Sequence, residues 1–233
     1  MKDALIHGAA ELNLPLSDRQ SDTFCAFGRA LLEKNQVMNL TAITDPPAVA
    51  RLHFLDCAAL LRYADFRGKS VIDVGCGAGF PGVPLKIAEP DIQLTLLDSL
   101  RKRVDWLADT LPGLGIEAEC VCARAEEYVA AHRERYDIAV SRAVARLNVL
   151  AELCMPFVRP GGVFLAMKSA DSDEEISQAA HAIALLGGRV EHLADYPVPG
   201  TDAIHRAVVI RKEKPTPRQY PRRFAKIKQS PLT

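Results

Sequence analysis

The sequence predicts an α/β fold: a seven-stranded, mostly parallel sheet with helices on both faces, a C-terminal antiparallel hairpin and a helical N-terminal extension. Three observations predict it. From residue 66 onward, short apolar runs alternate with helix-length amphipathic stretches, which implies right-handed crossovers and a sheet covered on both faces. The last two apolar runs are separated only by Pro197-Val198-Pro199-Gly200-Thr201, with no helical pattern between them, so they read as an edge hairpin. The first run ends in Gly75-Cys76-Gly77-Ala78-Gly79, glycines at alternate positions where a strand turns into a helix.

Taken in order, residues 1–65 read as the helical extension. Ser17-Asp18-Arg19-Gln20 is a capping-box pattern opening an apolar-periodic stretch from Phe24 to Leu32. Asp45-Pro46-Pro47 starts a further helix whose Val49, Leu52, Leu55, Ala59 and Leu60 repeat at helical spacing. His53 and Asp56 stand three apart on it and could pair, and the favoured reading of them is a plain exposed or interdomain hydrogen bond. The sheet domain covers 66–213. Its expected strands are 71–74, 93–97, 116–121, 137–140, 163–168, 190–196 and 205–211, with helices at 81–88, 100–110, 124–132, 146–158 and 172–187. Residues 214–233 form a basic C-terminal tail.

Composition narrows the class. The 233 residues, 48% hydrophobic and 25% charged, suit a soluble globule. The N-terminus lacks the apolar core of a signal peptide and no run approaches membrane-spanning length, so a cytoplasmic protein with no membrane partner is expected. The six cysteines show no Cys-x-x-Cys pair, which points to reduced thiols and to no metal site. The net charge of zero hides an asymmetry, because residues 211–233 carry eight basic side chains against Glu213 alone. Nothing in the chain demands more than a monomer.

The glycine run marks a nucleotide-type cofactor site. Gly77-x-Gly79-x-x-Gly82 satisfies the dinucleotide fingerprint, which alone is a weak signal. Asp73 sets a carboxylate where phosphates would lie, and Pro81 removes an N–H that a phosphate would use. Both details favour a cationic cofactor over a pyrophosphate. In an open α/β sheet the ligand sits beyond the carboxyl ends of the strands. The second strand ends at Asp98, placed to accept from ribose hydroxyls or else to cap the helix that follows. After the third come Ala125 and Glu126, able to meet an adenine edge or to be ordinary first-turn residues. The fourth ends Ser141-Arg142-Ala143, without the Asn/Asp-Pro-Pro-aromatic tetrapeptide of amino-group methyltransferases or the Pro-Cys pair of cytosine-carbon ones.

Several segments in order resemble the RsmG/GidB family. They are Asn39-Leu40-Thr41, Asp45-Pro46, His53-x-Leu55-Asp56, Asp73-Val74-Gly75-x-Gly77-x-Gly79-Phe80-Pro81-Gly82, Leu97-Asp98-Ser99-x-x-Lys102-Arg103, Arg124-x-Glu126-Glu127, Ser141-Arg142-Ala143 and Lys168. The chain departs from the family pattern at Leu52, Cys57 and Ser169. The resemblance implies a class I, Rossmann-like methyltransferase fold and transfer of a methyl group from S-adenosylmethionine, leaving S-adenosylhomocysteine, to N7 of a guanine in 16S ribosomal RNA. The RNA would be met free, in an assembly intermediate or in the small ribosomal subunit. It places cofactor contacts at Gly75, Phe80, Ala125, Glu126 and Arg142, which Asp73, Gly77, Gly79 and Asp98 join on the arguments above. No catalytic base is expected, since ring N7 has no proton to lose and catalysis reduces to placement; Arg142 is the one further contributor. His53, Arg146 and Lys168 are expected on the RNA side, with Arg218, Tyr220, Arg222 and Arg223 of the tail neutralising phosphates or stacking on bases. The same tail also reads as a solvated charge run. Three other functions stay open at this point: a methyltransferase for a small molecule or protein, an RNA-binding module with a non-catalytic pocket, and a nicotinamide-linked oxidoreductase.

Overall fold

The computed structural model describes residues 1–142 and 145–233. Helices α1 (Lys2–Glu11) and α2 (Asp18–Met38) lead the chain. The capping box forms at Ser17, whose Oγ accepts from the Gln20 N–H at 3.3 Å while Gln20 Oε1 accepts from the Ser17 N–H at 2.9 Å. The Gln20 amide also donates to the carbonyls of Ile87 and Ala88, so one cap starts α2 and ties it to the sheet domain. Asp45 caps α3 (Pro46–Val49) by accepting from the Ala48 N–H at 2.9 Å. The chain then widens into a π-helical segment, Ala50–Leu55, before α4 (Asp56–Ala58) and a 3-10 turn, Ala59–Arg62.

The sheet alternates as expected: β1 (Ser70–Val74), α5 (Gly82–Ala88), β2 (Gln93–Asp98), α6 (Arg101–Thr110), β3 (Glu119–Cys122), α7 (Ala125–His132), β4 (Tyr136–Arg142), α8 (Leu147–Cys154), β5 (Val158–Ser169), α9 (Asp173–Leu185), β6 (Gly188–Pro197) and β7 (Ile204–Lys212). Its strand order is β3-β2-β1-β4-β5-β7-β6, parallel through β5, with β7 antiparallel between β5 and β6. The order reverses between β1 and β4, which opens a crevice at their carboxyl ends.

Three boundaries differ from expectation by three residues or more: the starts of β3 and β5 and the end of α8. The third strand starts at Glu119 rather than 116, because Ile116 donates back to the Leu111 carbonyl at 3.0 Å and closes the preceding turn. Helix α8 stops at Cys154 rather than 158: Pro156 has no N–H to continue the ladder, a 3-10 turn follows, and β5 begins at Val158.

The N-terminal helices share the core of the sheet domain. Phe27 packs 5.8 Å from Phe54 and 6.1 Å from both Phe80 and Trp106, measured between ring centroids. No helix of the described residues is long and apolar enough to cross a membrane.

The C-terminal residues are anchored along the opposite face. Lys212 is fully buried, donating to the Met155 carbonyl at 2.8 Å and to the Thr216 hydroxyl, and burial pushes its ammonium down to about 8. Arg133 donates to the carbonyls of Thr216 and Tyr220. Arg222 forms a two-pronged pair with the fully buried Glu152, at 2.8 and 2.6 Å. Ile227, on α10 (Phe224–Gln229), is fully buried as well.

Candidate functional site

A cleft of about 560 Å³ opens at the carboxyl ends of β1, β2 and β4, within the size range of small-molecule sites. Its floor is the glycine turn. Gly75 (φ +76°) and Cys76 donate to the Leu97 carbonyl at 2.8 and 3.2 Å, which holds the turn against β2. Gly77 has φ +56°, and a Cβ there would stand in the cleft, 3.8 Å from Arg103 Nη1, where a ligand would lie. Gly82 serves packing instead, since a Cβ would come within 2.7 Å of Leu96 and 3.0 Å of the Asp73 carboxylate.

Asp73 is fully buried behind this turn and does not line the cleft. Its Oδ2 accepts from the Gly82 N–H at 2.7 Å, so it caps α5 across the turn, and that N–H is not open to a ligand. Oδ1 is buried with no partner among the described residues. Desolvation pushes the carboxyl up to about 7, partly offset by the Gly82 bond and the positive Arg142. Asp98 does line the cleft. It serves the turn as well, accepting from the Gly77 and Leu100 N–H groups at 2.9 and 2.8 Å, one on each oxygen. Each oxygen keeps a second lone pair for a hydroxyl.

At one end of the cleft Ala125 and Glu126 meet Phe224, brought there by the C-terminal segment. Glu126 Oε1 accepts from Arg124 Nε and from the Phe224 N–H, both at 3.3 Å. The Arg124 guanidinium lies 4.4 Å over the Phe224 ring.

At the other end are His53, Phe80 and Arg142. The His53 ring stacks on Phe80, 4.7 Å between centroids, and the Arg142 guanidinium also lies 4.7 Å from that ring. Arg142 donates to the Leu52 carbonyl at 3.3 Å, and stands 3.1 Å from His53 Nδ1 and 3.5 Å from the buried Asp56. Asp56 Oδ1 further accepts from Tyr196 Oη at 2.9 Å and from His205 at 2.8 Å. The His205 imidazole is held above its usual range by that bond. His53 is pushed down to about 4, chiefly by burial and then by Arg142. Its Nδ1 lies 3.1 Å from both Arg142 Nη2 and the Leu52 carbonyl, and its Nε2 shares a hydrogen bond with Thr41 Oγ1 at 2.7 Å.

Of the residues read from the sequence, Gly75, Gly77, Phe80, Asp98, Ala125, Glu126, Arg142 and His53 converge on the cleft. Gly79 (φ +93°) packs against Val83 and, with Asp73, supports the floor from behind. Ala143 lies outside the described residues. His53 and Asp56 do not pair directly; Arg142 stands between them. Arg146 is exposed and donates to Gln178, while Lys168 is committed to Glu175 at 2.6 Å, and neither lines the cleft. Two tail assignments need correction. Tyr220 is buried in the core under α8, so its ring is not free to stack on bases, and Arg222 is spent on Glu152. Arg218 and Arg223 remain exposed. Sequence reasoning missed Leu40, Leu100, Arg103 and Phe224 on the cleft wall, and His205 and Tyr196 around Asp56. Leu40 and Arg103 carried a signal, as parts of the Asn39–Thr41 and Leu97–Arg103 segments.

The residues fit S-adenosylmethionine. Gly77 leaves a cradle that a Cβ would fill, Asp98 and Glu126 offer acceptors to hydroxyls and an amine, and Arg103 and Arg142 offer cations to a carboxylate. A family model, GidB: rRNA small subunit methyltransferase G, matches residues 20–198. A protein of Alkaliphilus oremlandii called ribosomal RNA small subunit methyltransferase G is 46% identical over 237 aligned residues, covering 100% of this chain and 99% of the relative. One of that name from Clostridium botulinum (strain Loch Maree / Type A3) is 42% identical over 226 residues, covering 95% of each chain. Among solved structures, the ribosomal protein L11 methylase of Lactobacillus delbrueckii subsp. bulgaricus superposes with a TM-score of 0.54 at 13% identity, covering 70% of this chain and 79% of that one. That likeness shows the shared class I methyltransferase fold.

Proposed function

Since this chain belongs to the GidB family, rRNA small subunit methyltransferase G, we propose that it methylates N7 of a guanine in 16S ribosomal RNA at the cleft beside Gly75 and Gly77. The observation that carries the reading is the agreement of whole-chain family membership with a cleft in which the glycine turn, Asp98, Glu126 and Arg142 meet. When bound, S-adenosylmethionine supplies an electrophilic methyl group on a sulfonium. The chain's own residues hold and exclude. The Gly77 backbone lets the ligand lie close, Asp98 takes the ribose hydroxyls, and Ala125 with Glu126 takes the adenine edge.

Arg142 and His53 stand at the end of the cleft opposite the adenine edge, where the target base would enter, with Phe80 beside them. His53 has both ring nitrogens engaged and its proton affinity depressed, which suits it to positioning rather than to taking a proton. A guanine N7 needs no base, because its lone pair lies free in the ring plane. Rate then comes from placement and water exclusion. The exposed cations Arg218 and Arg223 would meet phosphates outside the cleft. The site belongs to a chain that works where ribosomes assemble, and the small subunit or its precursor is its partner.

Mass mapping of N7-methylguanine in small-subunit RNA, from cells with and without the gene, tests the reading. One N7-methylguanine lost on deletion, and restored by the purified protein with S-adenosylmethionine, is expected. An unchanged RNA, with label passing to protein or small molecules, would overturn it.

A further inference from the structure

We propose that the C-terminal segment, residues 214–233, is a strap that completes the cofactor cleft, with Phe224 covering the purine end of the bound nucleoside. The inference rests on the methyltransferase reading of the cleft and adds a wall to it. Phe224 lines the same cleft as Gly77 and Asp98, although it lies 147 and 126 positions further along the chain. It is held from both sides. Two residues earlier Arg222 grips the buried Glu152, and three residues later Ile227 is fully buried, so the backbone at Phe224 has little freedom to swing away.

The chemistry around the ring suits a purine. Phe224 is only half-buried, so the core does not consume it. Ala125, a side chain too small to block a flat ring, lies beside it in the wall. Glu126 spends Oε1 on the Phe224 N–H and on Arg124, which leaves Oε2 to accept from an exocyclic amine. Arg124 lies over Phe224 and stiffens it. An aromatic face, a small neighbour and an acceptor at the edge together make an adenine seat. Helix α7 supplies the small neighbour and the acceptor, and the strap supplies the ring.

The consequence is a linkage. Ligand binding stabilises the docked strap, and the docked strap stabilises the ligand by the same factor.

Titration calorimetry of the full chain with S-adenosylhomocysteine tests this, alongside hydrogen exchange of residues 222–229. Phe224→Leu, which keeps apolar volume but loses the ring, should weaken binding about tenfold, the usual worth of one base–aromatic stack. Phe224→Tyr should bind within about twofold of the native chain. The ligand should slow strap exchange in the native chain, and less so in Phe224→Leu. Should Phe224→Ala fail to fold, the Leu and Tyr variants decide. Native-like affinity for Phe224→Leu, or strap exchange indifferent to ligand, overturns the inference. Failure of the native chain to bind at all would instead remove the cofactor reading beneath it.

Discussion

Nη2 of Arg142 stands 3.1 Å from Nδ1 of His53, and the same ring nitrogen lies 3.1 Å from the Leu52 carbonyl, which accepts from Arg142 Nη1 at 3.3 Å. Arg142 therefore meets His53 both directly and through Leu52. At its far side the ring reaches Thr41 Oγ1 at 2.7 Å, which also accepts from the Ile43 N–H at 3.0 Å. Which ring nitrogen carries the proton decides the direction of the Leu52 and Thr41 bonds. Asp56 balances the Arg142 charge from behind, and is itself held by Tyr196 and His205. A cation beside a positive sulfonium would be repulsive. Shared with Asp56 and spread over the Phe80 ring, its charge is muted.

Arg142→Lys should therefore not be conservative. Lysine keeps the charge but cannot span Leu52, His53 and Asp56 together. Losing one charged hydrogen bond of about 1.5–3 kcal/mol predicts a fall in kcat/KM of tenfold to a hundredfold. Single-turnover kinetics beside ligand titration will show whether the loss lies in turnover or in cofactor binding. Wild-type kinetics in Arg142→Lys would mean that the fork is idle.

His53 sets a second expectation, this one in pH. Its folded pKa, about 4, lies below the unfolded value, so its contribution to stability is present above pH 6.5 and is lost as pH falls through 4. The stability difference between the native chain and His53→Gln should shrink by on the order of 2 kcal/mol between pH 6.5 and 4. Urea melts at several pH values measure it. A difference that stays flat across that window would place the imidazole in ordinary solvent.

The sheet and the glycine turn were legible because their signals are local: β-branched runs, alternating glycines, and acids at strand ends at the expected spacing. Asp98 and Glu126 follow from the same frame. The π-helical segment was not legible, because an apolar repeat such as Val49, Leu52 and Leu55 is compatible with an α-helix throughout. Nor was the cluster around Asp56, whose partner His205 is 149 positions away and joins it only when β7 lies in the sheet. The tail misled for a related reason. Its charges look solvated in one dimension, and the buried Glu152 that claims Arg222 lies 70 positions upstream on an apolar helix.

The docked tail still presents cations outward. Arg218, Arg223, Lys226 and Lys228 are exposed and make no salt bridge among the described residues. Replacing all four by alanine should flatten the salt dependence of RNA binding, the slope of log K against log salt falling in magnitude by about 3. Affinity for S-adenosylhomocysteine should hold. Arg222→Ala should behave differently, costing stability through the unpaired Glu152 rather than changing the slope. Filter binding over a salt series separates the two. An unchanged slope in the fourfold variant would take the strap out of RNA contact.

Asp73 provides the sharpest test of how the glycine turn is built, because its two oxygens are in opposite situations. Oδ2 is needed by the Gly82 N–H, whereas Oδ1 is buried without a partner among the described residues. Asn can meet the first need with its carbonyl and set its NH₂ where Oδ1 now stands, with no charge to bury. The raised carboxyl, about 7 against an ordinary 3.8, means that the folded chain binds a proton the unfolded chain has released. Stability from this group is therefore full below pH 3.8 and is lost as pH rises through 7. Relative to the native chain, Asp73→Asn should gain stability over that interval, by on the order of 2–4 kcal/mol at pH 8. If the lone Oδ1 is kept for the positive end of the cofactor, the same variant loses affinity for S-adenosylmethionine but not for the thioether S-adenosylhomocysteine, which lacks the sulfonium charge. Melting curves from pH 4 to 8, with titrations of both ligands, separate a structural carboxylate from an electrostatic one. A variant less stable than the native chain at pH 8 would show that the buried charge is compensated.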